Sequence, residues 1–112
     1  MSRYARRTDA NHSEIVKTFR AENASVVSLA AVGAGVPDLL VAYCGETILV
    51  EVKDGAKTAS QRKLTPAQKK FHATWGGLIV VLTSKSDVYD LMANWDCYGA
   101  KQAVRLMRER AK

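Results

Sequence analysis

Three ionisable residues stand in a stretch whose other residues have the composition of β-strands, namely Asp38, Glu51 and Lys53. Two carboxylates held close together repel each other unless a cation lies between them. A divalent cation removes that repulsion, and a shell of carboxylate, water and phosphate oxygens is what Mg²⁺ prefers. A protonated lysine is not a metal ligand, but it can orient a water nucleophile or offset charge that develops on a phosphate. These residue types are typical of a metal-dependent site that cleaves phosphodiester bonds.

The spacing of the two carboxylates follows from a predicted β-hairpin. Residues 39–43 (LLVAY) and 47–52 (TILVEV) are rich in branched side chains, and Cys44-Gly45 between them is typical of a two-residue turn. Counting back from that turn sets Asp38 opposite Glu51, and the strand period of two places the lysine two positions later on the same face. Two alternatives remain. A glycine bulge would shift the register by one and separate the carboxylates, or the face could carry an exposed salt bridge.

The length and composition of the chain limit the kind of protein it can be. At 112 residues it is expected to form one domain, and 47% hydrophobic with 25% charged residues is ordinary for a folded protein. No apolar run approaches the ~20 residues that span a bilayer, and no secretory signal is recognised, so an intracellular, cytoplasmic location is expected. Cys44 and Cys97 lack the spacing of a zinc site. The net charge of +6 favours a polyanionic partner such as DNA or RNA.

Two basic segments are candidates for contact with that partner. Residues 1–10 form a basic arm without apolar periodicity, which either binds nucleic acid or is a solvated terminus. Residues 54–63 form a polar loop that leaves directly from Lys53 and either contacts phosphates or is a solvated surface loop. The residues expected to contact DNA, in these segments and in the helix that follows, are Arg3, Arg6, Arg7, Lys57, Arg62, Lys63 and Lys69.

A helix is predicted before the hairpin, over about residues 12–23. Asn11 is its expected N-cap and Glu14 stands in the capping-box position, so Glu14 is either a cap residue or a third acid near the metal. A strand is predicted over residues 25–32. Pro37 lacks an amide donor and belongs at a strand start, which places the aspartate after it at the edge of the sheet.

A second helix is predicted after the basic loop, over about residues 66–75. Thr65 is its expected N-cap and Gln68 completes a capping box, so Gln68 is either a cap residue or a site residue. His72, one turn later, is either close to the site or a helix histidine without a role. Two aromatic residues at helical spacing are predicted to face the core, Phe71 and Trp75.

The remaining residues predict one strand and two helices. Residues 78–83 form a continuous apolar run, which predicts the central strand of the sheet, covered on both faces. Ser86 is the expected cap of a helix over residues 87–94. An amphipathic helix over residues 100–111 either covers the sheet or pairs with a second subunit.

The predicted order is α-β-β-β-α-β followed by two helices, with PD at 37–38 and ExK at 51–53. Over residues 11–83 this arrangement resembles the PD-(D/E)xK nuclease superfamily. Within it, the chain looks most similar to stand-alone phage-type VRR-NUC nucleases, because G-x-PD-L, a strand ending in VEVK, an L-T-P-x-Q helix and a GG-apolar strand occur in the family's order. Archaeal Holliday-junction resolvases look similar in the core and less so around Gln68.

The resemblance implies an α/β fold with a restriction-endonuclease-like αβββαβ core, a mixed central sheet flanked by helices, and two C-terminal helices. A single nuclease domain would span residues 1–112, with the basic arm at 1–10, the core at 11–83 and the C-terminal helices at 84–112.

The resemblance also implies roles for individual residues. Asp38 and Glu51 would bind the metal together with the backbone carbonyl of Val52, and Lys53 would position or polarise the attacking water. Glu14 matches the family's first-helix acid, which would reach the metal directly or through water. Gln68 matches the glutamine of the helix after ExK.

The expected activity is that of a Mg²⁺-dependent endodeoxyribonuclease, with Mn²⁺ as a substitute, acting on duplex or branched DNA such as Holliday junctions. A homodimer is expected, because two related sites are the simplest way to cut two strands. The resemblance also suggests a phage or prophage origin. The alternative is a DNA-binding module that keeps the nuclease fold without catalysis. No membrane partner is expected.

Overall fold

Residues 11–111 are described by a computed structural model, and their elements follow the predicted order. These are α1 (His12–Ala21), β1 (Ser25–Ser28), β2 (Leu39–Tyr43), β3 (Glu46–Val52), α2 (Pro66–Thr74), β4 (Ile79–Leu82), α3 (Lys85–Tyr98) and α4 (Ala100–Arg110). The predicted α/β class is confirmed. The basic arm with Arg3, Arg6 and Arg7 lies outside the described residues. No helix within residues 11–111 is long and apolar enough to cross a bilayer.

The four strands form one mixed sheet in the order β1-β2-β3-β4, in which the β3–β4 pair is parallel and the other pairs are antiparallel. Cys44 and Gly45 form the β2–β3 turn with φ of 50° and 78°, and a type I′ turn requires two such positive values. The register pairs Leu39 with Val50, as predicted. Asp38 and Glu51 are the next pair along that register, so their side chains lie on the same side of the sheet, as predicted.

The two faces of the sheet have different neighbours. The apolar face packs against α1, α3 and α4 through Ile15, Phe19, Leu91, Trp95 and Val104. Thus α4 covers the sheet, which is one of the two alternatives for this helix. Within the described chain, no residue of α2 belongs to this core. Helix α2 instead lies on the opposite face, where it meets the acidic residues.

The prediction that residues 78–83 form the central strand is wrong. In the sheet formed by the described residues, β4 is an edge strand. It is nevertheless largely buried, because Met107 and Arg108 of α4 lie beside Ile79 and Val81. A continuous apolar run therefore predicted the burial of this strand correctly, but not its position in the sheet.

Other differences lie at the ends of elements. Strand β1 ends at Ser28, before the predicted residue 32. The Leu29 N–H still donates to the Asp38 carbonyl at 2.7 Å, and the chain then turns, since the Val32 N–H donates back to the Leu29 carbonyl at 2.9 Å. Helix α3 begins earlier than predicted, since Ser84 rather than Ser86 is its N-cap. Helix α1 ends slightly earlier than predicted.

The two aromatic residues of α2 do not face the core, so that prediction is also wrong. Phe71 and Trp75 stack on each other with ring centroids 5.3 Å apart and an interplanar angle of 18°. Trp75 is 45% exposed. The reason is that α2 meets the sheet through a polar side chain, since Gln68 is its buried residue.

The loop before β2 contacts the first turn of α2 backbone to backbone. Gly35 has a φ of 80°, and a Cβ built on it would lie 2.3 Å from the carbonyl oxygen of Ala67. Only glycine permits that approach. Because the loop leads to Asp38 and the helix carries Gln68, this contact sets the spacing between the two sides of the candidate site.

We expect Gly35→Ala to destabilise the fold by about 3 kcal/mol, because a left-handed backbone penalty adds to an overpacked contact. Gly33→Ala is the matched control, since Gly33 has a φ of 74° and nothing lies within 4 Å of its added Cβ. The control should lose only about 1 kcal/mol. Urea unfolding measures both free energies. Equal losses would show that the contact with Ala67 does not constrain the loop.

Candidate active site

Asp38 lies where β2 begins and β3 ends. Its Oδ2 accepts the N–H of Val52 at 2.8 Å, and the residue is 6% exposed. Because Lys53 donates its N–H to Leu82 of β4, the N–H and C=O of Val52 both point toward β2. The continued register places Pro37 opposite Val52, and proline has no N–H to donate. The Val52 carbonyl is therefore directed toward the start of β2, where Pro37 supplies no ladder hydrogen bond.

Glu51 and Lys53 are joined by the side-chain amide of Gln68. The Gln68 Nε2 donates to Oε2 of Glu51 at 3.3 Å, and the Gln68 Oε1 accepts from the Lys53 ammonium at 2.9 Å. Glu51 is 2% exposed. An amide has a donor and an acceptor on opposite sides, so it matches a carboxylate and an ammonium at once. The structure thus brings these three predicted site residues into one hydrogen-bonded chain.

Gln68 is also a helix cap. Its Oε1 accepts the Thr65 N–H at 2.8 Å, while the Thr65 hydroxyl accepts the Gln68 N–H at 3.2 Å, which completes the predicted capping box. The two interpretations of Gln68 are therefore not exclusive. The cap holds the backbone at the helix start, and the same side chain faces the site.

His72 lies one turn beyond Gln68 and faces the same carboxylate. Its Nε2 is 3.9 Å from Oε1 of Glu51. Burial lowers the pKa of His72 below its ordinary value of 6.5, and the positive charges of Arg108 and Lys53 lower it further. These effects outweigh the attraction of the carboxylate. The imidazole is therefore neutral at neutral pH.

Arg108 is a residue near the site that the sequence analysis did not single out. It lies on α4, is exposed, and lines a cavity together with His72, Ile79 and Val81. The basic face of α4 is visible in the sequence. Its placement beside His72 depends on how α4 packs against β4, which no local pattern reports.

Glu14 does not take either predicted position in this structure. The capping box does not form, because the Asn11 side chain donates to the carbonyls of Lys53 and Thr83 at 3.1 and 2.7 Å. Glu14 is exposed and lines a surface cavity with Lys17. Within residues 11–111, no group of three or more His, Cys, Asp or Glu is placed to hold a metal. Glu14 therefore does not form such a group with the two site carboxylates.

The basic loop runs along the surface from the end of β3. It is held by a hydrogen bond within the loop, in which Asp54 accepts the Ala56 N–H at 2.9 Å, and by one to the residue after β4, in which the Gly55 N–H donates to the Thr83 carbonyl at 3.1 Å. Among the predicted DNA-contacting residues in this part of the chain, Lys57, Lys63 and Lys69 are exposed. Arg62 is half-buried. Their contact with nucleic acid stays a prediction.

Comparison with known proteins found no matching family model, no matching curated protein and no matching solved structure. The function is therefore argued from the geometry of Asp38, Glu51, Lys53 and Gln68, together with the sequence motif.

The two roles of Gln68 can be separated by mutation. Gln68→Met keeps the side-chain length but removes the hydrogen bonds to Glu51, Lys53 and Thr65, so we expect a loss of about 2–3 kcal/mol. Thr65→Ala removes a capping bond alone and should cost about 1 kcal/mol. Urea unfolding at neutral pH compares the two variants. If both lose the same amount, the bridge between Glu51 and Lys53 contributes nothing to stability.

The lowered pKa of His72 has a pH dependence of defined sign. Well above pH 6.5 the imidazole is neutral in both folded and unfolded states, so it adds no pH dependence there. As the pH falls below that value, the unfolded chain binds the proton first and stability decreases. We expect NMR titration to give a pKa below 6.5 for His72, with the resonance assigned by comparison with His12→Gln. A higher measured value would mean that Glu51 dominates its environment.

Proposed function

We propose that this chain is a metal-dependent endonuclease with the restriction-endonuclease-like core of the PD-(D/E)xK superfamily. The observation that carries the proposal is the Glu51–Gln68–Lys53 hydrogen-bonded chain beside Asp38. These residues occupy the positions that the PD and ExK motifs predict. A surface salt bridge would not account for the arrangement, since both carboxylates are almost fully buried.

The donor atoms fit a hard divalent cation. Asp38, Glu51 and the Val52 carbonyl would supply oxygen ligands only, which is the preference of Mg²⁺, and Mn²⁺ accepts a similar set. When bound, such an ion activates water and stabilises negative charge on a phosphate. Pro37 contributes by leaving the Val52 carbonyl without a ladder donor. Glu14 is not needed for this ligand set, since it is exposed and lies beside Lys17.

The other side chains have separate tasks in this proposal. Gln68 holds the Lys53 ammonium at 2.9 Å, which directs that charge toward the place where a phosphate and its attacking water would lie. The neutral imidazole of His72 fills the space beside Glu51 without adding charge.

The proposed substrate is DNA, in duplex or branched form. Exposed lysines extend away from Lys53 along the basic loop and onto α2, and lysines on loops contact phosphates without reading sequence. A preference for four-way junctions, a homodimeric state and a phage or prophage origin belong to the same proposal and rest on the resemblance alone. The exposed basic surface equally favours the second candidate, a DNA-binding module without catalysis.

Cleavage assays test the proposal with matched variants. We expect supercoiled plasmid, linear duplex or a labelled four-way junction to be cut in Mg²⁺ or Mn²⁺ and to stay intact in EDTA. Asp38→Asn and Lys53→Met should each reduce the rate about 100-fold or more, because each removes a charge from the reacting phosphate's surroundings. The controls are Asp54→Asn and Lys85→Met, which make the same chemical changes outside the hydrogen-bonded chain and outside the predicted DNA-contacting residues, and they should retain most activity.

The second candidate predicts a different result from the same assay. A protein that binds these DNA substrates tightly but cuts none of them with either metal is a binding module, and the enzyme proposal is then wrong. Cleavage that persists in EDTA, or that is unchanged in Lys53→Met, would also contradict it. Preference for the junction over the duplex would identify a structure-selective enzyme.

A further inference from the structure

The exposed aromatic pair on α2 has no role in the core. Trp75 is 45% exposed and lies parallel to the half-buried ring of Phe71. The indole is held from another side by Gly77, where an added Cβ would lie 2.8 Å from Trp75 Nε1. The result is a flat, ordered aromatic surface that is open to solvent.

This surface lies on the site-facing side of α2. Seven residues separate Trp75 from Gln68, and at about 100° per residue they return the helix to within about 20° of the same direction. The rise over seven residues is about 10 Å. Trp75 is the C-cap residue of α2, so the aromatic surface lies about 10 Å along the helix from Gln68, on the same side of the helix.

The surroundings of the pair are basic. Lys69 and Lys70 are exposed on the same helix, and Lys70 lines a surface cavity with Phe71. No acidic residue occurs in α2. An aromatic surface flanked by lysines matches a nucleic-acid strand, whose bases stack on aromatic rings while its phosphates meet the cations.

We propose that Trp75 and Phe71 form a stacking surface for an unpaired nucleobase of a strand bound at the candidate active site. The inference rests on the proposed function and specifies its substrate class. A base must be unpaired to lie on the ring, so this surface favours single-stranded, frayed or branched DNA over continuous duplex. Stacking is sequence-tolerant because every base has a π-face.

Intrinsic fluorescence gives a selective test. The chain has two tryptophans, and Trp95 is only 2% exposed, so quenching by an added strand reports on Trp75. The probes are a thymidine oligonucleotide and an abasic oligonucleotide of equal length and charge, both in EDTA. We expect the thymidine strand to quench the fluorescence and to bind about tenfold more tightly than the abasic strand.

Variants then measure the contribution of the Trp75 ring to binding. Trp75→Leu should bind the thymidine strand about tenfold more weakly, measured by anisotropy of labelled strands, and should bind the abasic strand as the parent does. Its salt dependence should be unchanged, because the phosphate contacts remain. Trp75→Phe should retain most of the discrimination. Tyr98→Leu is the control, since Tyr98 is an exposed aromatic residue on α3. Circular dichroism and urea unfolding verify that each variant is folded.

Three results would overturn the inference. The first is equal binding of both strands by the parent protein, and the second is a Trp75→Leu variant that keeps the parent's discrimination. The third is a change of oligomeric state in sedimentation for Trp75→Leu at unchanged DNA affinity, which would assign the surface to a second copy of the chain.

The two proposals fail in distinguishable ways. Metal-dependent cleavage without quenching or base discrimination leaves the nuclease proposal standing and removes the stacking surface. Quenching and base discrimination without cleavage in any metal leave the stacking surface standing and remove the nuclease proposal.

Discussion

The β2–β3 hairpin has a register that cannot slide, and the site depends on that constraint. A shift of β3 by one residue would turn Val50 out of the core and Glu51 into it, and a shift of β2 would do the same to Leu39 and Asp38. Placing an unpaired carboxylate in an apolar layer costs several kcal/mol. The core residues and the acidic residues therefore require the same pairing, and the two-residue turn closes the hairpin in that register.

The features that could be predicted from the sequence were those that depend on a few residues close together in the chain. Cys44-Gly45 predicted a two-residue turn, which the structure forms with two positive φ values, and Thr65 with Gln68 predicted a capping box that the structure contains. The hairpin then placed Asp38 and Glu51 on one face. In each case the residue types satisfy a backbone requirement that few other residues can meet, so the pattern identifies the structure.

The features that could not be predicted depend on tertiary contacts. The apolar run in β4 is equally suitable for a central strand and for an edge strand covered by a helix. Asn11 has the side chain of an N-cap, but two distant carbonyls receive its hydrogen bonds. Phe71 and Trp75 have core spacing on a helix that the core does not reach, and Arg108 reaches His72 only because of where α4 lies.

The polar attachment of α2 has a consequence for the motions of the chain. Among the described helices, α2 is the one without a residue in the apolar core. Its attachment to the sheet therefore depends largely on the hydrogen bonds of Gln68 and on the close backbone contact at Gly35. Such a helix can open as a local unit while the sheet stays folded. Its amides would exchange hydrogen early, and each opening would dismantle the site without unfolding the domain. Access of a polymeric substrate to the buried carboxylates of Asp38 and Glu51 would then depend on how often α2 opens.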